Sequence, residues 1–104
     1  MPFDQPTPRP LQQVTINNFA PTASGVYGLS NAREWIYIGA TDNIQGALMD
    51  HLRDSDAPAM RMHPTGFVFE ICDRARRPAR QDRLVLEYEP ACNRNNRHLP
   101  RNLR

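Results

Sequence analysis

The sequence lacks several features that define whole classes of protein. It contains no lysine, so arginine supplies all 13 strong positive charges among its 104 residues. Two cysteines, Cys72 and Cys92, are too few for a disulfide-rich secreted scaffold, and with three isolated histidines they do not form a zinc-site pattern. No segment approaches the about 18 consecutive apolar residues of a membrane span, and the first twenty residues lack the apolar core of a signal peptide. We therefore expect a cytoplasmic, reduced protein with no membrane partner.

The length of 104 residues limits the chain to one domain, and its share of apolar residues, 39%, is low. Its two ends are the poorest in apolar side chains. We expect a flexible proline-rich tail over 1–22, a folded domain over 23–93, and a flexible tail rich in arginine and asparagine over 94–104. A folded part of this size buries only about 60% of its surface. A homo-oligomer or a protein partner is therefore an open alternative to an isolated monomer.

Positive charge is concentrated in the last third of the chain. Residues 1–70 hold four arginines and seven acidic residues, a net charge of −3, while residues 71–104 hold nine arginines and four acidic residues, a net charge of +5; the two sum to +2. The planar guanidinium group matches the geometry of phosphate oxygens, so the basic part indicates a nucleic-acid partner. A solvated surface in an arginine-rich sequence explains the composition equally well.

Hydrophobic periodicity predicts an α+β chain of three strands and two helices in the order β-β-α-β-α. Ile44, Leu48 and Leu52 recur every four residues, the stripe of a helix that lies on a sheet. Thr41 or Asp42 is expected to cap the N-terminus of that helix. The predicted elements are strands over 24–29 and 34–40, the helix that begins near 44, a strand over 66–72 and a helix over 79–88.

Motifs at fixed spacing run through these elements. Two tripeptides lie on the first two predicted strands, Gly25-Val26-Tyr27 and Tyr37-Ile38-Gly39. The joint between the second strand and the first helix contains Thr41 and Asn43, and the end of the second helix is followed by the pattern Tyr88, Pro90 and Asn93. In this order they resemble the GIY-YIG nuclease family, which includes the catalytic domains of excision-repair and homing endonucleases. The resemblance implies the fold of that family, a small three-stranded antiparallel sheet flanked by helices. The resemblance covers roughly residues 24–93, with Gly25, Gly39, Thr41 and Asn43 as motif residues of structural importance.

The resemblance implies the hydrolysis of phosphodiesters in nucleic acids with a divalent cation, Mg or Mn. By position, Tyr27 and Tyr37 correspond to the motif tyrosines, and His51 lies where some homing endonucleases have a histidine at the cleft. Two expected catalytic groups are missing. Ala47 stands at the position of the family's phosphate-binding arginine, and Gln81 stands at the position of its metal-binding glutamate.

Three functions compete on this basis. The first is a degenerate nuclease domain that binds nucleic acid, with DNA as the expected type, through arginines that flank the site: Arg53, Arg74, Arg76, Arg77, Arg80 and Arg83. The second is an active metal-dependent nuclease that uses Tyr27, Tyr37, His51 and Asp82, the last replacing Gln81 after a one-residue shift in helix register. The third is a protein-interaction or scaffolding domain. A cofactor is implied only in the second case.

Overall fold

Segments rich in β-branched and aromatic residues pair into one antiparallel sheet, and amphipathic helices cover its two faces. The computed structural model describes residues 2–3 and 7–93. In chain order the elements within them are β1 (Arg9–Pro10), α1 (Gln13–Phe19), β2 (Gly25–Ser30), β3 (Trp35–Thr41), α2 (Ile44–Arg53), α3 (Pro58–Arg61), β4 (Gly66–Ile71) and α4 (Arg77–Tyr88). The α+β class is confirmed, as is the order of the long elements. The two-residue strand β1 and the helices α1 and α3 were not predicted.

The strand order is β1-β4-β2-β3, so the β2–β3 hairpin forms one side of the sheet and β3 is an edge strand. Asn31 closes the hairpin, because its side-chain oxygen accepts hydrogen bonds from the backbone N–H groups of Arg33 and Glu34. Tyr27 pairs with Gly39 on β3 and with Phe69 on β4. The central strand β2 therefore presents Tyr27 in the middle of the sheet.

A register shift in the hairpin divides the aromatic residues of β3 between the two faces. Leu29 pairs with Tyr37, but the next residue of β2, Ser30, pairs with Trp35, so one additional residue is accommodated in β3. Because side chains alternate between the faces of a strand, the shift places Trp35 and Tyr37 on opposite faces. Trp35 packs with the cluster beneath α4, while Tyr37 packs with the cluster beneath α2.

Each face has its own hydrophobic core. On one face, Ile44 and Leu48 of α2 are fully buried against Leu29 and Phe67 of the sheet. On the other, Leu84 and Val85 of α4 pack with a sheet surface that includes Val26, Ile38 and Val68. Burying a side chain of this kind contributes about 1.5–3 kcal/mol. The two cores fix the positions of α2 and α4 on either side of β3.

The structure corrects the prediction of a flexible tail over 1–22. Residues 9–10 form β1, which pairs with β4, and residues 13–19 form α1, which packs on α2. Phe3 and Ile16 are both buried, and Phe3 contacts Trp35 and Tyr88. Four prolines in the first ten residues concealed these apolar positions in the sequence pattern. The domain therefore begins well before residue 23, and the predicted tail over 94–104 lies outside the described residues.

The cap of α2 also differs from the prediction. Asn43 is the N-cap, and its side-chain oxygen accepts a hydrogen bond from the N–H of Gly46. Thr41 supports this cap from outside the helix, because its hydroxyl oxygen accepts from the N–H of Asn43. Asp42, the other predicted cap, instead pairs with arginines that follow β4. None of the helices within the described ranges has the length and apolar character needed to cross a membrane.

Candidate active-site cleft and arginine surface

Three aromatic side chains from three elements meet above the sheet on the α2 face. Tyr27 comes from β2, Tyr37 from β3 and His51 from the third turn of α2. Their ring centroids are 6.1 Å apart for the two tyrosines and 5.6 Å apart for each tyrosine and His51. The hydroxyl of Tyr27 lies 2.9 Å from Nε2 of His51, a hydrogen bond. The structure thus brings the three predicted catalytic residues together.

Of the two motif glycines, Gly39 makes room for this cluster, and Gly25 makes room for the close approach of β4 and α2. A Cβ atom on Gly39 would lie 2.7 Å from the Tyr27 hydroxyl and 2.8 Å from Cε2 of Tyr37. A Cβ atom on Gly25 would collide with the carbonyl oxygen of Glu70 and would lie 2.7 Å from Cδ1 of Ile44. None of the described glycines has a positive φ. At these two positions glycine is therefore required for space and not for an unusual backbone conformation.

Burial sets the protonation states of the cluster. It raises the pKa of Tyr27 well above its ordinary value, with smaller contributions in the same direction from Tyr37 and Asp50. It also raises the pKa of Tyr37 and lowers the pKa of His51, and for His51 the carboxylates of Asp50 and Asp54 act in the opposite direction. Near pH 7 both hydroxyls therefore keep their protons and the imidazole is neutral.

A cleft of about 240 Å³ opens beside this cluster. We call it the tyrosine cleft, and its lining residues are Tyr27, Ala47, Asp50, His51, Asp54 and Ala57. Ala47 supplies only a methyl group where the resemblance calls for an arginine. The titratable residues of this lining are the tyrosine, the histidine and two aspartates. The cleft therefore presents negative charge, and no arginine from the described part of the chain belongs to its lining.

Asp50 and Asp54 were missed by the sequence analysis. They lie three and seven residues after Ala47, so the 3.6-residue repeat of a helix places them on the Ala47 side of α2. That spacing was a usable signal. Arg53, by contrast, is exposed and pairs with Asp50 at 3.3 Å, outside the cleft lining.

Gln81 and Asn93 bind the free edge of β3, and we call them the two edge amides. The side chain of Asn93 accepts from the N–H of Ile38 at 2.6 Å and donates to its carbonyl oxygen at 3.0 Å. The side-chain amide of Gln81 donates to the same carbonyl oxygen, also at 3.0 Å. Asp82, the proposed substitute for Gln81, is exposed on another side of α4. Gln81 itself faces the sheet, so the helix register is not shifted by one residue.

A divalent cation does not fit the side chains found here. The amide of Gln81 carries no negative charge, and its nitrogen is directed at Ile38. Across residues 2–3 and 7–93, no three histidine, cysteine, aspartate or glutamate side chains come together as a group that could hold a metal ion. Mg and Mn favour carboxylate oxygens.

The predicted nucleic-acid-binding arginines are divided between exposed and half-buried positions. The side chains of Arg77 and Arg80 are only 15% and 17% exposed, and they pair with Asp42 at 2.6 Å and with Glu70 at 2.7 Å. The interaction with Asp42 holds the pKa of that carboxyl below its ordinary value, with Arg77 contributing more than Arg74. These two arginines connect the first turns of α4 to β4 and to the joint between β3 and α2.

The other arginines of this group are exposed. Arg74 shares Asp42, and Arg76 pairs loosely with Asp73 at 3.7 Å. Arg83 is exposed and forms no ion pair with a described residue. Arg76 and Arg83 are seven residues apart, so they lie on one side of the helix, about 10 Å apart along its axis. They are well placed to contact a ligand from solvent.

The sheet, the two helices that flank it and the pair of strand tyrosines define the GIY-YIG nuclease fold. The structure is similar to the N-terminal endonuclease domain of UvrC from Thermotoga maritima bound to magnesium, its catalytic divalent cation: 21% identity, a TM-score of 0.62, and coverage of 73% of this chain and 92% of that one. A point mutant of the same domain, also with its catalytic divalent cation, gives 20% identity and a TM-score of 0.61, over 73% and 91% of the two chains.

These likenesses confirm the resemblance at the level of the fold. No protein-family model matches the chain, and no curated protein sequence matches it. The comparisons therefore show the fold of this chain and not its function.

Proposed function

We propose that this chain is a nucleic-acid-binding domain built on the GIY-YIG nuclease fold, with DNA as the expected ligand and with phosphodiester cleavage lost or strongly impaired. The observation that supports this most directly is the composition of the tyrosine cleft. Ala47 lies there together with Asp50 and Asp54. Two carboxylates repel a phosphodiester at the place where catalysis needs positive charge.

Two further observations favour impaired cleavage. The raised pKa of Tyr27 opposes its use as a base at neutral pH. Gln81 supplies an amide in place of a carboxylate, and this amide is hydrogen-bonded to the edge of β3. Loss of one positioned electrostatic group typically costs about 10²–10³ in rate. The absence of two such groups leaves little catalysis.

The surface proposed to contact nucleic acid is formed by the exposed residues Arg74 and Arg76, which precede α4, and Arg83 within α4. Exposed ion pairs contribute only about 0–1 kcal/mol, so a phosphate can replace Asp42 or Asp73 as the partner of Arg74 or Arg76. The half-buried pairs of Arg77 and Arg80 do not exchange so readily. Binding is therefore assigned to Arg74, Arg76 and Arg83, and fold support is assigned to Arg77 and Arg80.

Binding is tested by titrating labelled duplex, branched and single-stranded DNA and RNA at several salt concentrations. We expect affinity to fall steeply with salt, and the double variant Arg76→Gln/Arg83→Gln to reduce the slope of log K against log [salt] by about 0.9 for each arginine. The matched control Arg33→Gln/Arg61→Gln removes the same charge from exposed positions elsewhere and should leave the slope nearly unchanged. Absence of salt-dependent affinity for every one of these ligands would refute nucleic-acid binding.

Impaired cleavage is tested by restoring the two missing groups. The double variant Ala47→Arg/Gln81→Glu should cleave plasmid DNA with Mg or Mn faster than the unaltered chain, since it returns a cation to the cleft and a carboxylate to α4. Each single variant serves as a control and should give little cleavage. Efficient metal-dependent cleavage by the unaltered chain would contradict this part of the proposal.

The hydrogen bond between Tyr27 and His51 favours a second candidate, a nuclease that is still active. A neutral imidazole at 2.9 Å from a hydroxyl can take up a proton, so these residues retain part of a general-base arrangement. In this case Tyr27→Phe and His51→Gln abolish nicking of plasmid or branched DNA, whereas Asp82→Asn leaves it unchanged, since Asp82 is exposed on another side of α4. No nicking with any divalent ion would exclude this candidate.

A further inference from the structure

The outer edge of β4 is left open by the short strand beside it. β1 pairs only with Gly66 and Phe67, so no described strand lies beside residues 68–71 on that side. A groove of about 430 Å³ follows this edge. The opposite edge of the sheet differs, because the two edge amides bind Ile38 there. Among the described residues, one edge of the sheet is therefore protected and the other is open.

The pairing of β4 with β2 determines which backbone groups face the groove. The N–H of Cys72 donates to the carbonyl of Ser24, and Glu70 occupies the next hydrogen-bonded position of the ladder. Because hydrogen-bonded pairs alternate along antiparallel strands, the N–H and C=O groups of Glu70 point toward β2. Those of Phe69 and Ile71 point away from β2, and no hydrogen bond from a described residue reaches them. They are the donors and acceptors with which another strand pairs.

The side chains along this edge suit an apolar strand. Side chains alternate across a strand, so Phe67, Phe69 and Ile71 share the face that carries α2. The rings of Phe67 and Phe69 stack with their centroids 6.3 Å apart, whereas Ile71 is 64% exposed. On the other face Glu70 is held by Arg80 at 2.7 Å, so its negative charge is compensated within the chain. The open edge of β4 thus offers free backbone groups and an exposed isoleucine without an unpaired charge.

We propose that this edge binds the same edge of a second copy of the chain, with the two β4 strands antiparallel and Glu70 of each copy at the two-fold axis. In this register Phe69 lies opposite Ile71 of the second copy, and each of the two such pairs exchanges two hydrogen bonds, which uses all the outward groups of both residues. A phenylalanine ring covers the exposed Ile71, a favourable cross-strand pair. Arg80 beside each Glu70 limits the repulsion between the two carboxylates at the axis. The proposal does not depend on nucleic-acid binding.

The two ends of the open stretch determine this register. With Phe69 at the axis, Ile71 would lie opposite Phe67, where Arg9 of β1 already pairs. With Ile71 at the axis, Phe69 would lie opposite Asp73, which is outside the strand. Only the register centred on Glu70 pairs both open residues within the strands.

The proposed dimer closes on itself. It joins two four-stranded sheets through β4, so that a β3 strand lies at each outer edge, where the edge amides bind Ile38. Residues 68–72 of each copy form a contact smaller than the about 1,200 Å² of a standard stable interface. We therefore expect a weak, reversible dimer that does not grow into longer assemblies.

Association is tested by sedimentation of the full chain between about 10 µM and 1 mM, the range of a weak interface. The mass should rise from 11.9 kDa toward twice that value and stop there. Ile71→Lys places a charge on the open edge, and Ile71→Pro removes an outward N–H, so each should keep the fold and weaken association about tenfold or more. The matched control is Leu86→Lys, at a leucine that is 63% exposed on α4, and it should leave association unchanged.

NMR of the full chain locates the contact. In a mixture of isotope-labelled and unlabelled chains, the ring protons of Phe69 should show cross-relaxation to Ile71 of the other copy. Hydrogen exchange at the amides of Phe69 and Ile71 should slow as the protein concentration rises, while exchange at Ile38 should not change. A monomer at every concentration, growth beyond two copies, or a dimer that both Ile71 variants leave intact would overturn the proposal.

Discussion

At the scale of single residues, the hydrogen bond between Tyr27 and His51 joins two groups that are both neutral near pH 7. Burial has opposite effects on their pKa values, because a tyrosine is charged when it loses its proton and a histidine is charged when it gains one. The cluster is therefore most compatible with the fold when it is uncharged. Acid conditions should oppose folding through His51.

The free energy of unfolding should fall as the pH is lowered from about 7 to about 5. The pKa of His51 is lowered in the folded chain relative to about 6.5 in the unfolded chain. Between the lowered pKa and about pH 6.5, the unfolded state therefore binds more protons than the folded state. The stability is fully present above about pH 6.5 and is lost as the pH falls through the lowered pKa. Urea denaturation at pH 7.5 and 5.5 measures the difference, which should shrink in His51→Gln. The matched control is His63→Gln, at an exposed histidine. This variant should keep the difference in stability between the two pH values.

A methyl group at Gly39 should be costly. In Gly39→Ala the new Cβ would lie 2.7 Å from the Tyr27 hydroxyl and 2.8 Å from Tyr37, so the rings must move. Overpacking of this kind costs about 1–3 kcal/mol, measurable as a lower urea midpoint. The exposed neighbour provides the control, since Ala40→Ser should change stability by less than about 0.5 kcal/mol. An unchanged midpoint for Gly39→Ala would show that the ring cluster is loosely packed.

At the scale of elements, the free edge of β3 is completed by side chains in place of another strand. The N–H and the carbonyl of Ile38 both point away from β2 and are bound by the two edge amides. Asn93 thereby fixes the chain after α4 to the strand that carries Tyr37. The edge of a sheet is normally a site for pairing with other chains, and here two of its polar groups are already satisfied.

Removal of the Asn93 side chain should weaken this edge. Asn93→Ala leaves the N–H of Ile38 without its partner and leaves the carbonyl of Ile38 with Gln81 alone, at a cost of about 1–3 kcal/mol. Urea denaturation should show the loss, and hydrogen exchange at the amide of Ile38 should accelerate more than exchange at the centre of β2. Asn17→Ala, at an exposed position of α1, is the control and should change stability by less than about 0.5 kcal/mol. Equal exchange rates at Ile38 in the variant and the native chain would contradict the role given to Asn93.

Local patterns predicted the elements of this protein better than they predicted the surroundings of its site. The stripe of Ile44 and Leu48 and the paired motif tripeptides were sufficient for α2 and the hairpin. The carboxylates that give the cleft its charge belong to Asp50 and Asp54. Helix spacing could have predicted their position beside Ala47, but they are not part of the motif. Long-range partners, such as Asp42 for Arg77, depend on tertiary contacts between segments 35 residues apart and leave no local pattern.

At the scale of the whole molecule, the N-terminal segment is part of the domain. Phe3 is 2% exposed and closes the core beneath α4, and Ile16 is buried beside α2. Small domains have free energies of unfolding of about 5–15 kcal/mol, so two such side chains carry a large fraction of the total. The sequence did not predict these core positions, because isolated apolar residues among prolines show neither helical nor strand periodicity.

Two substitutions of the same type distinguish a structural N-terminus from a tail. Phe3→Ala removes a buried ring and should cost about 3–5 kcal/mol. Phe19→Ala removes a ring that is 50% exposed, with Arg9 at 4.1 Å from its centroid, and should cost about 0.5–1 kcal/mol. Urea denaturation of both variants gives the comparison. Equal, small losses would indicate that Phe3 does not belong to the core in solution.

The one-residue register shift between β2 and β3, at Leu29 and Ser30, also gives each side of the sheet its own chromophore. Trp35, the only tryptophan, lies with Tyr88 at 4.6 Å between ring centroids on the α4 side, whereas Tyr27 and Tyr37 lie on the α2 side. Indole fluorescence therefore follows one layer of the protein, and the aromatic protons of the two tyrosines follow the other. Unfolding curves from the two signals coincide if the layers melt together, and they separate if one face of the sheet loses its helix first.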